Sequence, residues 1–166
     1  LREGLRKSMN LISVRMVQQD IAPAEQVKQT AKRMGINTEI RAVDALALGT
    51  SEVFPIEIVS AYAALANKGV YSKPFAITKI EDRYGNVLKE FFPDRKEVLS
   101  EETSFLMTSL MQTVMDRGTG GSARWKYKFN RPAAGKTGTT QGWSDAWFVG
   151  YTPQIAAGCW YGVDDF

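Results

Sequence analysis

The sequence contains no histidine at all. That excludes a Ser-His-Asp triad, a Cys-His pair and a histidine-ligated zinc within these residues. There is one cysteine, Cys159, so neither an intrachain disulfide nor a thiolate metal cluster can form. Cys159 lies in the apolar run Ile155-Ala156-Ala157-Gly158-Cys159-Trp160, where a buried structural thiol is expected. No apolar stretch approaches the roughly 18 residues that a membrane-crossing helix needs, and the first residues do not resemble a signal peptide. Charge of one sign is also scarce. The 21 basic and 18 acidic residues give a net charge of +3, and they are spread along the chain. The densest basic group, Arg124, Lys126, Lys128 and Arg131, reads as a solvated loop rather than a nucleic-acid contact.

What is present is globular. The 166 residues are 44% hydrophobic and 23% charged, enough for a real core. Residues 1–70 are mainly helical in pattern. Leu1 and Leu5, then Leu11, Val14 and Val17, recur at helical spacing, with an interruption at Ser8-Met9-Asn10. Pro23 opens a second helix that Gly35 ends, and Pro55 opens a third that closes at Gly69. Within residues 71–132 the period changes. Residues 75–80 and 87–91 predict a β-hairpin around Arg83-Tyr84-Gly85-Asn86. Ser100 then caps a helix that runs to Gly118. Residues 133–166 hold three strand candidates, over 133–140, 145–151 and 155–163, with connections short enough for antiparallel neighbours. The whole is an α+β layout. The abrupt amphipathic start at Leu1 and the stop at Phe166 are expected of an excerpt from a longer protein.

Two short motifs carry the chemistry. On the extended run Lys136-Thr137-Gly138-Thr139-Thr140, Thr137 and Thr139 share a face, and Gly138 permits close backbone approach. Such a strand can pair with an extended peptide while two hydroxyls and an ammonium bind its carboxylate. By itself the tripeptide is equally the pattern of an ordinary solvent-facing strand. Ser8-Met9-Asn10 places hydrogen-bonding groups in a helix break, where Ser8 or Asn10 serves as a helix cap or as a cleft residue.

Together and in this order, they match the second and third motifs of the S-x-x-K, S-x-N, K-T-G set of serine acyl-transfer enzymes. The flanking segments Leu46-Ala47-Leu48-Gly49, Val53-Phe54-Pro55-Ile56-Glu57, Ala61-Tyr62-Ala63-Ala64-Leu65-Ala66-Asn67-Lys68-Gly69, Arg117-Gly118-Thr119-Gly120 and Asp145-Ala146-Trp147-Phe148-Val149-Gly150-Tyr151-Thr152-Pro153 complete the resemblance. The chain is similar, from about Leu1 to Phe166, to the C-terminal part of the D,D-transpeptidase domain of bifunctional, class A penicillin-binding proteins.

The resemblance implies a penicillin-binding, serine β-lactamase-like fold in which an antiparallel sheet packs with helices. It implies that Ser8 relays a proton, that Asn10 holds the substrate amide and the base lysine, and that Lys136 supplies positive potential. Thr137 and Thr139 would bind the substrate carboxylate, with Gly138 and Thr140 on the same substrate-binding strand, and the N–H of Thr139 would serve the oxyanion hole. None of the serines has lysine three positions later, so the first motif is expected before Leu1. The family's N-terminal hairpin, nucleophile helix and closing C-terminal helix are likewise expected outside this chain. The implied partners are peptidoglycan stem peptides and β-lactam antibiotics, at the outer face of a bacterial cytoplasmic membrane, with no metal or organic cofactor and no nucleic acid. Two other readings are a β-lactam sensor of the same fold and, for this chain alone, a substrate-binding fragment without catalysis. The strand over 155–163 would present an unpaired edge and favour self-association or a companion chain.

Overall fold

The computed structural model describes residues 1–140, 142 and 144–162. Helices α1 (Arg2–Arg6), α2 (Asn10–Gln18) and α3 (Ala24–Arg33) come first, followed by a 3-10 turn at Asp44–Leu48 and helix α4 (Pro55–Ala66). Pro55 opens α4, where its missing N–H has no helical partner to lose. Pro23 stands one position before α3, as its cap. Ser100 caps the long helix α5 (Glu101–Arg117) by accepting from the Thr103 N–H at 3.2 Å, the cap the sequence predicts. A short helix α6 (Ser122–Trp125), which the sequence pattern did not reveal, follows the glycine loop.

Strands β1 (Val70–Ser72) and β4 (Arg95–Glu97) form one antiparallel pair, and β2 (Lys79–Glu81) and β3 (Val87–Glu90) form another. The predicted hairpin is therefore present but shorter on its first arm, since residues 75–78 lie outside the strand. Its turn is held by Asp82, whose carboxylate accepts from the N–H groups of Tyr84 and Asn86 and from the Asn86 amide. β1 and β4 have three residues each, too few to show an alternating pattern in sequence.

The third sheet organises the rest of the chain. Its order is β5 (Ala134–Thr139), β6 (Asp145–Tyr151), β7 (Ala156–Gly162), all antiparallel. Val163, the predicted last residue of the third strand, lies outside the described residues. The register sets Ala134 opposite Tyr151 and Lys136 opposite Val149. This face packs on α4 and α5, and Leu65, Met111, Ala134 and Tyr151 form the main core cluster. Val114 of α5 is wholly buried. Tyr62 meets Tyr151 edge-on with ring centroids 6.3 Å apart, and burial first, then the neighbouring Tyr151, pushes its hydroxyl up to about 12.

The opposite face carries Phe148 and Cys159, which are cross-strand partners. The expectation of a buried Cys159 fails: the thiol is exposed. The run around it is apolar on both sides of the strand, but helices cover only one. Gly158 faces Val59 of α4, whereas Cys159 and Phe148 line an open cavity of about 640 Å³ with Met115, Phe129 and Ile155. The basic group is only partly the solvated loop that the sequence predicts, since Arg124 lies within α6. Arg124 is paired with Asp116 at 2.9 Å and donates to the Phe129 and Arg131 carbonyls, while Lys126, Lys128 and Arg131 are exposed.

A second core cluster, Ile36, Ile40 and Ala61, lies beneath the segment after α3. Glu57 of α4 anchors that segment. Its carboxylate accepts from the N–H groups of Asn37 and Thr38 at 3.0 and 3.2 Å and from the Thr38 hydroxyl at 2.6 Å. Burial works to raise this carboxyl, yet these hydrogen bonds outweigh it and hold it below the ordinary glutamate value. A carboxyl depressed by folding contributes stability that is full above its unfolded value and is lost as pH falls through its folded value. Glu57→Gln should therefore cost about 1 kcal/mol at pH 7 and less near pH 3. Urea denaturation of both proteins at the two pH values checks this; an equal cost at both would show that the charge is not involved.

Candidate active site

The site begins at the end of α1. The Ser8 N–H bonds to the Leu5 carbonyl at 3.1 Å, and the Met9 N–H reaches back to the Gly4 carbonyl at 2.8 Å. This paired closure requires a left-handed residue after the helix. Ser8 fills the position with φ 54°. A non-glycine residue there costs on the order of 1 kcal/mol, and such strain is characteristic of functional sites. Neither Ser8 nor Asn10 is a helix cap. Met9 holds the cap position of α2 without a side-chain bond, and Asn10 is the first residue of that helix. Freed from capping, the Ser8 hydroxyl accepts from Lys136 Nζ at 2.7 Å, a contact spanning 128 residues.

Lys136 leaves β5 on the core face, half-buried. Its ammonium also donates to the Thr137 carbonyl at 2.7 Å. Burial lowers its pKa from the ordinary lysine value, since the charged form loses hydration that two hydrogen bonds only partly replace. No carboxylate is paired with it among the described residues. A positively charged group, aimed at a serine and lacking a local counter-charge, suits an arriving anion.

Thr137 projects to the other face of β5, where its hydroxyl is 2.6 Å from that of Thr119. Thr139 lies on the same face at the exposed end of the strand. Gly138 pairs with Trp147, and a Cβ at Gly138 would lie 3.2 Å from the Trp147 Cβ. Thr140 is used differently: its hydroxyl accepts from the Asp145 N–H at 2.8 Å and bonds to Ser144, closing the turn into β6. Asp145 extends this closure by accepting from Trp160 Nε1 at 2.8 Å. Asn10 is exposed, and its side chain has no hydrogen-bond partner among the described residues. Because β5 pairs only with β6 among the described residues, its other edge presents open main-chain donors and acceptors. An extended peptide can add there as a further strand.

The structure thus joins Ser8 to Lys136 and exposes Thr139 and Asn10 nearby in sequence to those groups. It directs Thr140 into a turn. Two contributors escaped sequence reasoning: Thr119, at the Thr137 hydroxyl, and Arg6, whose guanidinium donates to the Arg117 carbonyl at 2.6 Å. The glycine loop was visible as a motif, but nothing in its spacing identified which hydroxyl would meet Thr119. Among the described residues no cluster of acidic or cysteine side chains could hold a metal ion.

Known proteins share this architecture. The family model for the penicillin-binding protein transpeptidase domain matches residues 1–161. Penicillin-binding protein 1A of Aquifex aeolicus is 39% identical over 164 residues, which is 99% of this chain and 22% of that protein. Penicillin-binding protein 2D of Bacillus subtilis is 40% identical over 141 residues, covering 82% of this chain and 20% of that protein. The chain therefore spans about a fifth of the length of these relatives. The crystal structure of penicillin-binding protein 1A from Haemophilus influenzae superposes with a TM-score of 0.91 at 27% identity, over 99% of this chain and 30% of that one. The structure of penicillin-binding protein PonA1 from Mycobacterium tuberculosis gives 0.83 at 25% identity, over 99% and 47%. With its α+β fold and its matched span, the chain belongs to the penicillin-binding protein transpeptidase family, alongside the 1A-type, class A members.

Proposed function

We propose that this chain forms the substrate-binding wall and proton-relay corner of a peptidoglycan D,D-transpeptidase, with the serine nucleophile supplied by an S-x-x-K segment upstream of Leu1. The observation that carries the reading is the 2.7 Å contact from Lys136 Nζ to Ser8 Oγ. It brings together the second and third motifs of a three-motif serine enzyme.

In this reading the stem peptide adds to the open edge of β5. Thr137 and Thr139 bind its terminal carboxylate through their hydroxyls, and Lys136 adds positive potential. The upstream serine attacks the carbonyl of the penultimate residue, giving its proton to the upstream lysine. The N–H of Thr139 and that of the serine hold the oxyanion. Ser8 passes the proton to the departing amine of the terminal D-alanine. Cleavage of that amide leaves an ester on the serine. An amine from a neighbouring strand then attacks the ester, forming the new amide and returning the serine. Asn10 orients the substrate amide. A β-lactam enters the same path, but its ring amide opens without a leaving fragment. No step requires a metal or an organic cofactor, and the setting is the outer face of the bacterial cytoplasmic membrane. No helix among the described residues is long and apolar enough to cross a membrane.

A labelled penicillin tests the proposal on the complete protein. Covalent labelling that a D-Ala-D-Ala-terminated stem peptide slows is the expected result. Labelling insensitive to the peptide would favour a β-lactam sensor, and no labelling at all would overturn both.

A further inference from the structure

Thr119 lies outside the three motifs, yet two contacts fix it and a third holds its loop. Its N–H donates to the Arg6 carbonyl at 3.2 Å. Its hydroxyl lies 2.6 Å from the Thr137 hydroxyl. The neighbouring Arg117 carbonyl accepts from Arg6 Nη1 at 2.6 Å. Arg6 is itself held by Glu3 in an ion pair of 2.7 Å. The approach is close enough that a Cβ at Gly118 would lie 2.5 Å from the Arg6 carbonyl oxygen. The loop is therefore clamped to the last turn of α1, two residues before Ser8, and reaches β5 through a single hydroxyl.

We propose that Thr119 is a positioning residue that fixes the proton of the Thr137 hydroxyl toward the substrate carboxylate. The inference rests on the reading in which Thr137 binds that carboxylate. A threonine hydroxyl has one proton to donate and can accept as well. If Thr137 directs its proton to a carboxylate, its bond to Thr119 can exist only with Thr119 as donor. The Thr119 O–H then polarises the Thr137 hydroxyl and strengthens the bond it gives. Thr119 also removes the rotational freedom that an isolated threonine hydroxyl would lose on binding. Because its backbone is tied to α1, the same loop couples the carboxylate end of the cleft to the turn that carries Ser8.

The contrast that reads this is between a penicillin and its methyl ester, since the ester cannot accept as a carboxylate does. In the complete protein, Thr119→Val should lower the rate of acylation by the free acid about fivefold, the worth of one hydrogen bond. The methyl ester should change less than about twofold, because it lacks the interaction at issue. Thr119→Ser, which restores the hydroxyl, should recover the free-acid rate. Thr137→Val serves as the reference. If it lowers the acid-to-ester ratio and Thr119→Val does not, the positioning role is overturned while the Thr137 reading stands. If Thr137→Val leaves the ratio unchanged, the reading beneath the inference has failed. Equal loss for acid and ester in Thr119→Val, or no recovery in Thr119→Ser, would make Thr119 a structural element of the loop and overturn the proposal. Thr119→Ala supplies the same comparison if the valine variant does not fold.

Discussion

Substituting Lys136 with alanine in the complete protein is expected to lower the rate of acylation by a labelled penicillin about 10²- to 10³-fold, the effect of deleting a preorganised charged donor from a reaction centre. The ammonium donates to Ser8 and to the Thr137 carbonyl, so in the proposed mechanism its loss disturbs the relay and the substrate strand together. Stability should move the other way or hardly at all. Burial already lowers the pKa of this lysine, which means folding disfavours its charged form. A variant that folds as well as the parent yet reacts slowly would separate catalysis from structure. Lys136→Arg should not rescue the rate, because a planar guanidinium cannot reproduce the reach of a compact ammonium in a half-buried position. Stopped-flow labelling with thermal denaturation of the same samples checks each statement. A Lys136→Ala protein that reacts within about threefold of the parent would remove Lys136 from the site.

The difference between what the sequence revealed and what it concealed follows from the range of each interaction. Helix α5 was legible because its cap is local: the Ser100 side chain reaches a residue three positions on. β6 was legible because a short run rich in apolar and aromatic residues, bounded by a turn at Pro153, is a local signal. Three-residue strands β1 and β4 gave no such signal, since their pairing is set by the closure of the chain around α4 and α5. Cys159 misled for a related reason. Periodicity reports that a strand is apolar, but which face is covered depends on where helices α4 and α5 happen to pack. At the site, Ser8 and Lys136 were recognisable as motif members, whereas their 2.7 Å contact is a property of the turn after α1. The Thr119 hydroxyl was invisible because its partner lies 18 residues away across a glycine loop.

The second large effect concerns the 166-residue polypeptide as purified. It should not be covalently labelled by a penicillin, although the complete protein should be labelled stoichiometrically. Ser8 is the serine that meets Lys136, but its oxygen already accepts from that ammonium, which makes it a poorer nucleophile. No serine has a lysine one helical turn later to take its proton. Binding groups alone do not form an acyl-enzyme. The same polypeptide should gain mass with concentration, because β7 pairs only with β6 among the described residues and its outer face bears the open apolar cavity around Phe148 and Ile155. A free strand edge beside uncovered apolar surface is a template for another chain. Gel fluorescence after incubation with a labelled penicillin, and light scattering at micromolar concentration, are the two measurements. Labelling of the isolated polypeptide would relocate the nucleophile to one of its own serines and require a different base. A strictly monomeric mass would mean that the exposed face is tolerated in water. If instead labelling appears only when the upstream segment is restored, and association disappears with it, one missing piece would account for both the chemistry and the uncovered sheet.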